Sequence, residues 1–188
     1  MGSMGKYVFV FAILLVSPES LHFHGLKFSK DIFQALKIRK FVKTHNAIWT
    51  YSTTASFYVR CKVDVLMSIN KTSILFRRKH YRDEQMHWAA QNIEGLFPRN
   101  QKDIMLTRPP GARFTGKETI VFAGVNYECA VIKVTPVVEG HRQYYDLRVL
   151  NASVTHRIDP RCLQKFEQLR EHRRVIYGPT CQHILNIR

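Results

Sequence analysis

The nine histidines are the side chains that could first suggest catalysis or metal binding. Only His22 and His24 lie close together in the sequence, whereas acid–base catalysis and metal binding need several groups that converge on one point. The zinc-binding spacings CxxC and HExxH do not occur. No pair of histidines stands with a lysine in the manner of a secreted ribonuclease. We therefore expect no metal, no cofactor and no enzymatic activity.

Cysteine is the other residue type whose chemistry could matter, and the chain has four: Cys61, Cys129, Cys162 and Cys181. An even number of cysteines in an exported protein predicts disulfides, here two. Three pairings remain open from the sequence alone.

The N-terminus indicates export. The cation Lys6 precedes an apolar run at 7–16, which is too short to span a bilayer, since that takes about 20 residues. A buried strand is the alternative, but neither turn residues nor alternation accompany the run. We predict a signal peptide over 1–20, cleaved between Ser17 and Gly25, and one domain over 26–188. No further apolar segment is long enough to span a membrane.

The chain is strongly basic, with 29 Lys and Arg against 14 Asp and Glu and a formal net charge of +15. Two basic clusters stand out: Lys37, Arg39, Lys40 and Lys43, and then Arg77, Arg78, Lys79 and Arg82. Such runs are ordinarily solvated faces. The net charge also favours attraction to heparan-like polyanions or anionic membranes.

Hydrophobic periodicity indicates a mainly β domain. Apolar and polar residues alternate from Phe57 to Ile69, with Leu66 as the exception, and this predicts a long amphipathic strand. Further β-rich segments separated by turn residues follow at 72–76, 87–93, 103–107, 118–123, 127–134 and 143–150. This order is typical of an antiparallel sheet, sandwich or barrel.

Two helices flank these strands. Ser29 is a candidate N-cap for a short helix with an apolar stripe at Ile32, Phe33 and Leu36. Asp159-Pro160 has the form of an N-cap followed by proline at the first helical position, and predicts a second helix that ends at 177–179.

Four short segments carry a resemblance to a known family: 47–49 (Ala-Ile-Trp) before the first predicted strand, 129–131 (Cys-Ala-Val), 145–149 (Tyr-Asp-Leu-Arg-Val) and Cys162. Their arrangement resembles the tick salivary lipocalins, often called the histamine-binding family. The resemblance implies an all-β fold: an eight-stranded antiparallel up-and-down barrel with a short N-terminal helix and a C-terminal helix packed outside. It also implies the disulfides Cys61–Cys181 and Cys129–Cys162. Alternation, however, puts Cys61 on the apolar face, so a bulge or a position at the barrel rim would have to let the tail reach it.

In that family an acid after the late cysteine, and a Glu and an aromatic residue in the last strand, hold a biogenic amine. This chain has Ala130 where the acid would stand and Arg148 where the aromatic residue would stand, so only Asp146 keeps an acid at these positions. Glu128 lies two residues from Ala130 and could supply a compensating acid, which would then pair with Arg148. The substitutions disfavour histamine and serotonin, because a desolvated amine needs carboxylates. They favour an apolar ligand, either a sterol or a carboxylated fatty acid or eicosanoid that Arg148 could hold.

The resemblance makes Trp49 a lining residue of the pocket, or else a plug in the barrel floor. Phe57, Tyr58 and Tyr144 are further candidate lining residues. Arg148 would lie on the surface instead if the phase of its strand were different.

The resemblance implies a secreted protein that sequesters a small host mediator and so modulates host defence. One alternative is a binder of histamine or serotonin. The other is an immunomodulatory or anti-haemostatic protein that acts through its basic outer surface on host polyanions, cells or proteins. The sequons at Asn70 and Asn151 predict N-glycosylation at both.

Overall fold

A computed structural model describes residues 36–85, 87–137, 140, 142–169 and 172–187. The predicted signal peptide and the helix start at Ser29, with Ile32 and Phe33, lie outside the described residues.

Eight antiparallel strands form a closed barrel, as the resemblance implied. They are β1 (Ile48–Thr53), β2 (Arg60–Ile69), β3 (Ser73–Tyr81), β4 (Trp88–Leu96), β5 (Ile104–Arg108), β6 (Gly116–Ala123), β7 (Cys129–Pro136) and β8 (Tyr144–Leu150). From β2 to β8 each strand pairs with the next along the chain, and β1 pairs with both β8 and β2 to close the barrel. A short strand, β9 (Arg174–Val175), pairs with β1 at Ser52 and Thr53, beyond the last pair of β1 with β2.

The helices lie at one end and on the outside of the barrel. Helix α1 (Ile38–Val42) buries Ile38, Phe41 and Val42 in the same cluster as the barrel interior. Because the strands run up and down, the turn at 70–72 and the loops at 97–103 and 124–128 share this end, which we call the closed end. The loops at 54–59 and 109–115, together with residues 82–85 and 142–143, lie at the opposite end, the mouth.

The C-terminal helix begins where the sequence predicts but ends at Glu167 instead of at 177–179, since β9 occupies 174–175. Helix α2 (Asn151–Val154) follows β8 directly, and α3 (Pro160–Glu167) starts with the Asp159 side chain accepting the backbone N–H of Arg161 at 2.9 Å. A 3₁₀ helix, Pro179–Leu185, completes the chain. Cys162 and Phe166 of α3 pack outside the barrel against β7 and β8.

The first strand, β1, is absent from the sequence prediction, which placed Trp49 before the first strand. The sequence pattern does not reveal β1 because Thr50, Ser52 and Thr53 are polar and interrupt any apolar alternation. In the structure these residues are buried rather than solvated. The predicted strand from Phe57 instead begins at Arg60.

The apolar face of β2 is the outer face of the barrel. Cys61 and Val63 belong to a cluster with Trp49, Cys181 and Ile184, so the C-terminal segment covers them from outside. The alternate residues of β2 therefore point inward. Leu66 is the exception because it lies on this inward face and packs against the interior cluster. A bulge does lie at Cys61, the second residue of β2: the register with β3 shifts between Arg60 and Val63, and Cys61 has a positive φ of 53°.

Two disulfides tie the flanking segments to the barrel wall, in the pairs that the resemblance implied. Cys61 is bonded to Cys181, and Cys129 is bonded to Cys162. The first fixes the C-terminal segment on β2, and the second fixes α3 on β7.

Candidate functional site

Six charged side chains meet inside the barrel. Their strands alternate so that these positions face inward, and opposite residues such as Asp64 and Arg78 are cross-strand partners. The six are Lys62, Asp64, Arg78, Glu118, Asp146 and Arg148, and each side chain is at most 16% exposed. Three are cations and three are anions. We call this set the ion-pair layer, and its formal charge is zero.

Arg148 is the centre of the layer. Its Nη1 donates to Glu118 Oε2 at 2.6 Å and its Nη2 donates to Glu118 Oε1 at 2.9 Å. Nη2 also donates to Asp146 Oδ2 at 3.2 Å. Burial works against the charge of Arg148, but the attraction of Glu118 and Asp146 outweighs it and raises the pKa of the guanidinium. This bidentate geometry is the strong form of a carboxylate–guanidinium contact.

Asp146 is held on its other sides by β1 and β2. It accepts Lys62 Nζ at 2.8 Å and Thr53 Oγ1 at 2.7 Å. Burial alone would raise the pKa of Asp146, yet the positive charges of Lys62 and Arg148 hold it below its ordinary value. Asp146 is therefore ionised at neutral pH and already has two cationic partners.

Arg78 closes the layer on the β3 side. Its Nε and Nη2 bind the two oxygens of Asp64 at 2.7 and 2.8 Å, and Nη2 also reaches Glu118 Oε1 at 3.0 Å. Despite burial, Arg148 and Arg78 together lower the pKa of Glu118. Every acid in the layer thus contacts at least one guanidinium or ammonium group.

Little space remains between the layer and the closed end. A cavity of about 10 Å³ there is lined by Asp64, Arg148 and apolar side chains that include Ile48 and Phe76, and this is room for about one water molecule. Within the described part of the chain, Arg148 Nε has no hydrogen-bond partner. An anion reaching Arg148 would find both of its Nη atoms occupied.

A larger cleft lies at the mouth. It has a volume of about 960 Å³ and is bordered by the β1–β2 loop, the start of β8, the end of β7 and His172. Phe57, 49% exposed, meets Tyr144 edge to face with ring centroids 5.5 Å apart. Lys62 Nζ lies 5.7 Å from the centre of the Tyr144 ring, so this ring joins the cleft to the ion-pair layer. Tyr58 is half-buried in the same loop but does not line the cleft.

Two of the predicted lining residues lie outside the barrel interior. Trp49 packs on Tyr177 of the C-terminal segment, with centroids 5.1 Å apart, and donates Nε1–H to Asn151 Oδ1 at 2.7 Å. It neither lines the interior nor plugs the floor. Glu128 is exposed and accepts Ser153 Oγ at 3.3 Å, because it precedes β7 and so does not share the face of Ala130.

Two of the four cations in the second basic cluster are not on a solvated face, whereas Arg82 is exposed. Arg78 belongs to the ion-pair layer, and Lys79 points the other way and donates to backbone carbonyls of the C-terminal segment at Ile184, Leu185 and Ile187. Alternation along β3 divides these neighbours between the two faces of the wall.

Sequence reasoning missed Glu118, the acid that compensates Arg148. The sequence pointed to Glu128, close to Ala130 along the chain, whereas Glu118 comes from β6, which pairs with β7. Alternation along 57–69 predicts that Lys62 and Asp64 share the polar face of this strand. Their opposite charges two residues apart were the available signal for an internal ion pair.

Among the described residues, no three His, Cys, Asp or Glu side chains lie close enough together to hold a metal ion. The same residues include no helix that is long and apolar enough to cross a membrane.

Solved structures with the same architecture place this barrel among known folds. The serotonin complex of AM182 aligns with a TM-score of 0.58 and 14% identity over 78% of this chain and 93% of that one. Japanin from Rhipicephalus appendiculatus, bound to cholesterol, aligns with a TM-score of 0.54 and 11% identity over 73% and 96%. The siderocalin Ex-FABP aligns with a TM-score of 0.53 and 9% identity over 71% and 93%.

No family model matches the sequence, and no curated protein matches it at a significant level. The likeness therefore rests on the architecture, which agrees over most of each barrel: this chain has the lipocalin fold.

Proposed function

We propose that this protein is a secreted carrier that sequesters a small, mainly apolar host mediator, and that it does not capture amines. The neutral ion-pair layer is the observation that carries the proposal. The ligand class is a sterol, a fatty acid or an eicosanoid, and the consequence is modulation of host defence, as the resemblance to tick salivary lipocalins implies.

An amine would have to compete with the protein's own cations. A desolvated ammonium group needs a carboxylate to offset its lost hydration. Asp146 and Glu118 already bind Lys62 and Arg148 at 2.6–2.8 Å. An entering amine must displace one of these groups and leave it buried without a partner, so amine affinity is expected to be low.

The mouth cleft is the ligand site that we propose. Phe57 and Tyr144 supply its aromatic surface, and the exposed Arg142 lies on its border. A carboxylated ligand would meet Arg142 before it reached Arg148, whose Nη atoms are occupied. A neutral sterol would use the apolar surface alone.

Calorimetry of the secreted protein with histamine, serotonin, arachidonate-derived lipids and cholesterol tests this function. We expect heat from at least one apolar ligand and none from the amines. Submicromolar affinity for histamine would contradict the proposal. Native mass spectrometry of the protein as secreted would identify any mediator that it already carries.

A matched pair of variants tests the site. Ser56→Trp places a large side chain in the cleft, and Ser68→Trp places the same side chain at an exposed position on β2. Ligand binding should be lost in the first and retained in the second. Equal binding by both variants would exclude the cleft.

A further inference from the structure

A basic groove lies at the closed end of the barrel, opposite the mouth. It has a volume of about 740 Å³, and seven of its eleven lining residues are Lys or Arg. The seven are Lys37, Arg39, Lys40, Lys43, Lys71, Arg99 and Lys102. Among the residues that the structure describes, no Asp or Glu lines it. The fold thus concentrates positive charge from three separate segments on one concave surface.

Backbone and side-chain contacts join these three segments. Ile38 N–H donates to Lys102 O at 3.0 Å, which fixes α1 on the 97–103 loop. Phe97 N–H donates to Thr72 O at 2.8 Å, which fixes that loop on the β2–β3 turn. Arg39 donates Nε and Nη2 to Asn70 O at 3.2 and 3.0 Å. The backbone segments that carry the cations, and the Arg39 side chain, are therefore arranged before a ligand binds, which lowers the entropic cost of binding.

No acidic side chain of the described residues neutralises the positive charge of the groove. Across the ranges that the structure describes, none of the seven cations takes part in a salt bridge. All except Arg39 are exposed. A concave surface lined by one sign of charge raises the local concentration of opposite charge and speeds its association.

Shape and composition favour a linear polyanion over a membrane. Proteins that lie on membranes usually add exposed apolar anchors to their cations. The exposed large apolar side chains of the described residues are Phe57, Met67, Trp88, Phe114, Val125, Val137 and Val175, and none of them lines the groove. A concave groove suits a chain of closely spaced anionic groups better than a flat bilayer does.

We propose that this groove binds a sulfated glycosaminoglycan chain of the heparan type. The two disulfides fit an extracellular protein, and such chains occur outside cells. Because the groove and the mouth lie at opposite ends, the barrel could hold its ligand while the closed end is bound to a polysaccharide. This site does not depend on the proposed function of the mouth cleft.

Heparin binding of two charge-matched variants tests the proposal. The groove variant carries Lys43→Gln, Lys71→Gln, Arg99→Gln and Lys102→Gln. The control carries Arg60→Gln, Arg82→Gln, Arg113→Gln and Arg157→Gln, exposed positions outside the groove. We expect a heparin oligosaccharide to bind the groove variant at least about tenfold more weakly than the unmodified protein, with a shallower salt dependence, since fewer counterions are released. The control should stay within about twofold.

Three results would overturn the proposal. Equal losses in the two variants would show attraction to net charge rather than to the groove. Equal binding of desulfated heparin would remove the role of sulfate. Binding to phosphatidylserine vesicles but not to heparin would assign the groove to membranes. Circular dichroism of both variants, and unchanged binding at the mouth, would show that the fold is intact.

Discussion

Arg148 and Glu118 face each other across the barrel interior in a two-point ion pair, with Nη1–Oε2 at 2.6 Å and Nη2–Oε1 at 2.9 Å. The two residues are 30 positions apart, on β8 and β6, and both are almost fully buried. This pair places a guanidinium where the histamine-binding family has an aromatic residue, and it provides the acid that holds the guanidinium.

Removing one member of this pair should destabilise the barrel strongly. Arg148→Met leaves Glu118 as a buried carboxylate with only Arg78 beside it, and we expect a loss of about 3–5 kcal/mol. The double variant Arg148→Met, Glu118→Gln should lose less, because no unpaired charge remains. Urea unfolding measures both. Arg82→Gln, whose side chain is 66% exposed, is the control and should change stability by no more than about 0.5 kcal/mol. A double variant less stable than Arg148→Met would contradict this account.

The same substitution should create affinity for amines. Without Arg148 the formal charge of the layer changes from zero to −1, and Glu118 and Asp146 lose a cationic partner. We expect histamine to raise the thermal midpoint of Arg148→Met and to leave that of the unmodified protein unchanged, since a ligand stabilises only the state that binds it. Thermal scans with histamine, serotonin and an equal concentration of imidazole provide the comparison. No shift in the variant would mean that the layer does not govern amine selectivity.

Stability should fall in acid because of the same carboxylates. The pKa values of Asp146 and Glu118 are lower in the folded protein than the ordinary values near 4. Below about pH 5 the unfolded chain therefore binds more protons than the folded one, and the free energy of unfolding decreases as the pH falls towards the folded pKa values. Their contribution is complete at neutral pH. We would measure the free energy of unfolding by urea from pH 7 to 2.5. It should fall less steeply with decreasing pH in the Arg148→Met, Glu118→Gln double variant than in the unmodified protein, and equal pH dependence of the two would refute the assignment.

Removal of each of the two disulfides should have a different effect on tryptophan fluorescence. Their loops span 120 and 33 residues, for which the chain-entropy relation gives about 5 and about 4 kcal/mol. Cys61→Ala, Cys181→Ala should also release the segment that covers Trp49 and shift tryptophan emission to the red. Trp88, the other tryptophan, is already 39% exposed. Removal of Cys129–Cys162 should leave the emission unchanged, and a red shift there instead would contradict this packing.

The two sequons are expected to differ in occupancy. Asn70 is exposed in the turn after β2. Asn151 is half-buried, and its Oδ1 accepts Trp49 Nε1 and Gln182 Nε2 at 2.7 and 2.8 Å. Because Asn151 is half-buried against Trp49 and Gln182, its amide nitrogen has less room for a glycan than that of the exposed Asn70. Protein from a eukaryotic secretory system should therefore carry glycan at Asn70 and little at Asn151. Peptide mapping decides this, and full occupancy at Asn151 would count against the observed contact with Trp49.

Local features of the sequence determined the order of elements. Alternation and turn residues predicted seven of the eight barrel strands, because each depends only on residues close together in the chain. Asp159-Pro160 predicted the start of α3 for the same reason. The number of cysteines predicted two disulfides, and their pairing agreed with the family resemblance.

The tertiary structure decided which face of each strand is the interior. Periodicity separates two faces but cannot say which one is covered, and here the C-terminal segment covers the apolar outer face of β2. The charged face of β2 is thereby enclosed in the barrel. Sequence rules assign a charged face to solvent, because an isolated buried charge is costly. That cost is offset by partners 14, 30 and 84 residues away in the chain. Closure of the barrel brings those partners together, and it also joins the segments at 37–43, 71 and 99–102 into one basic groove.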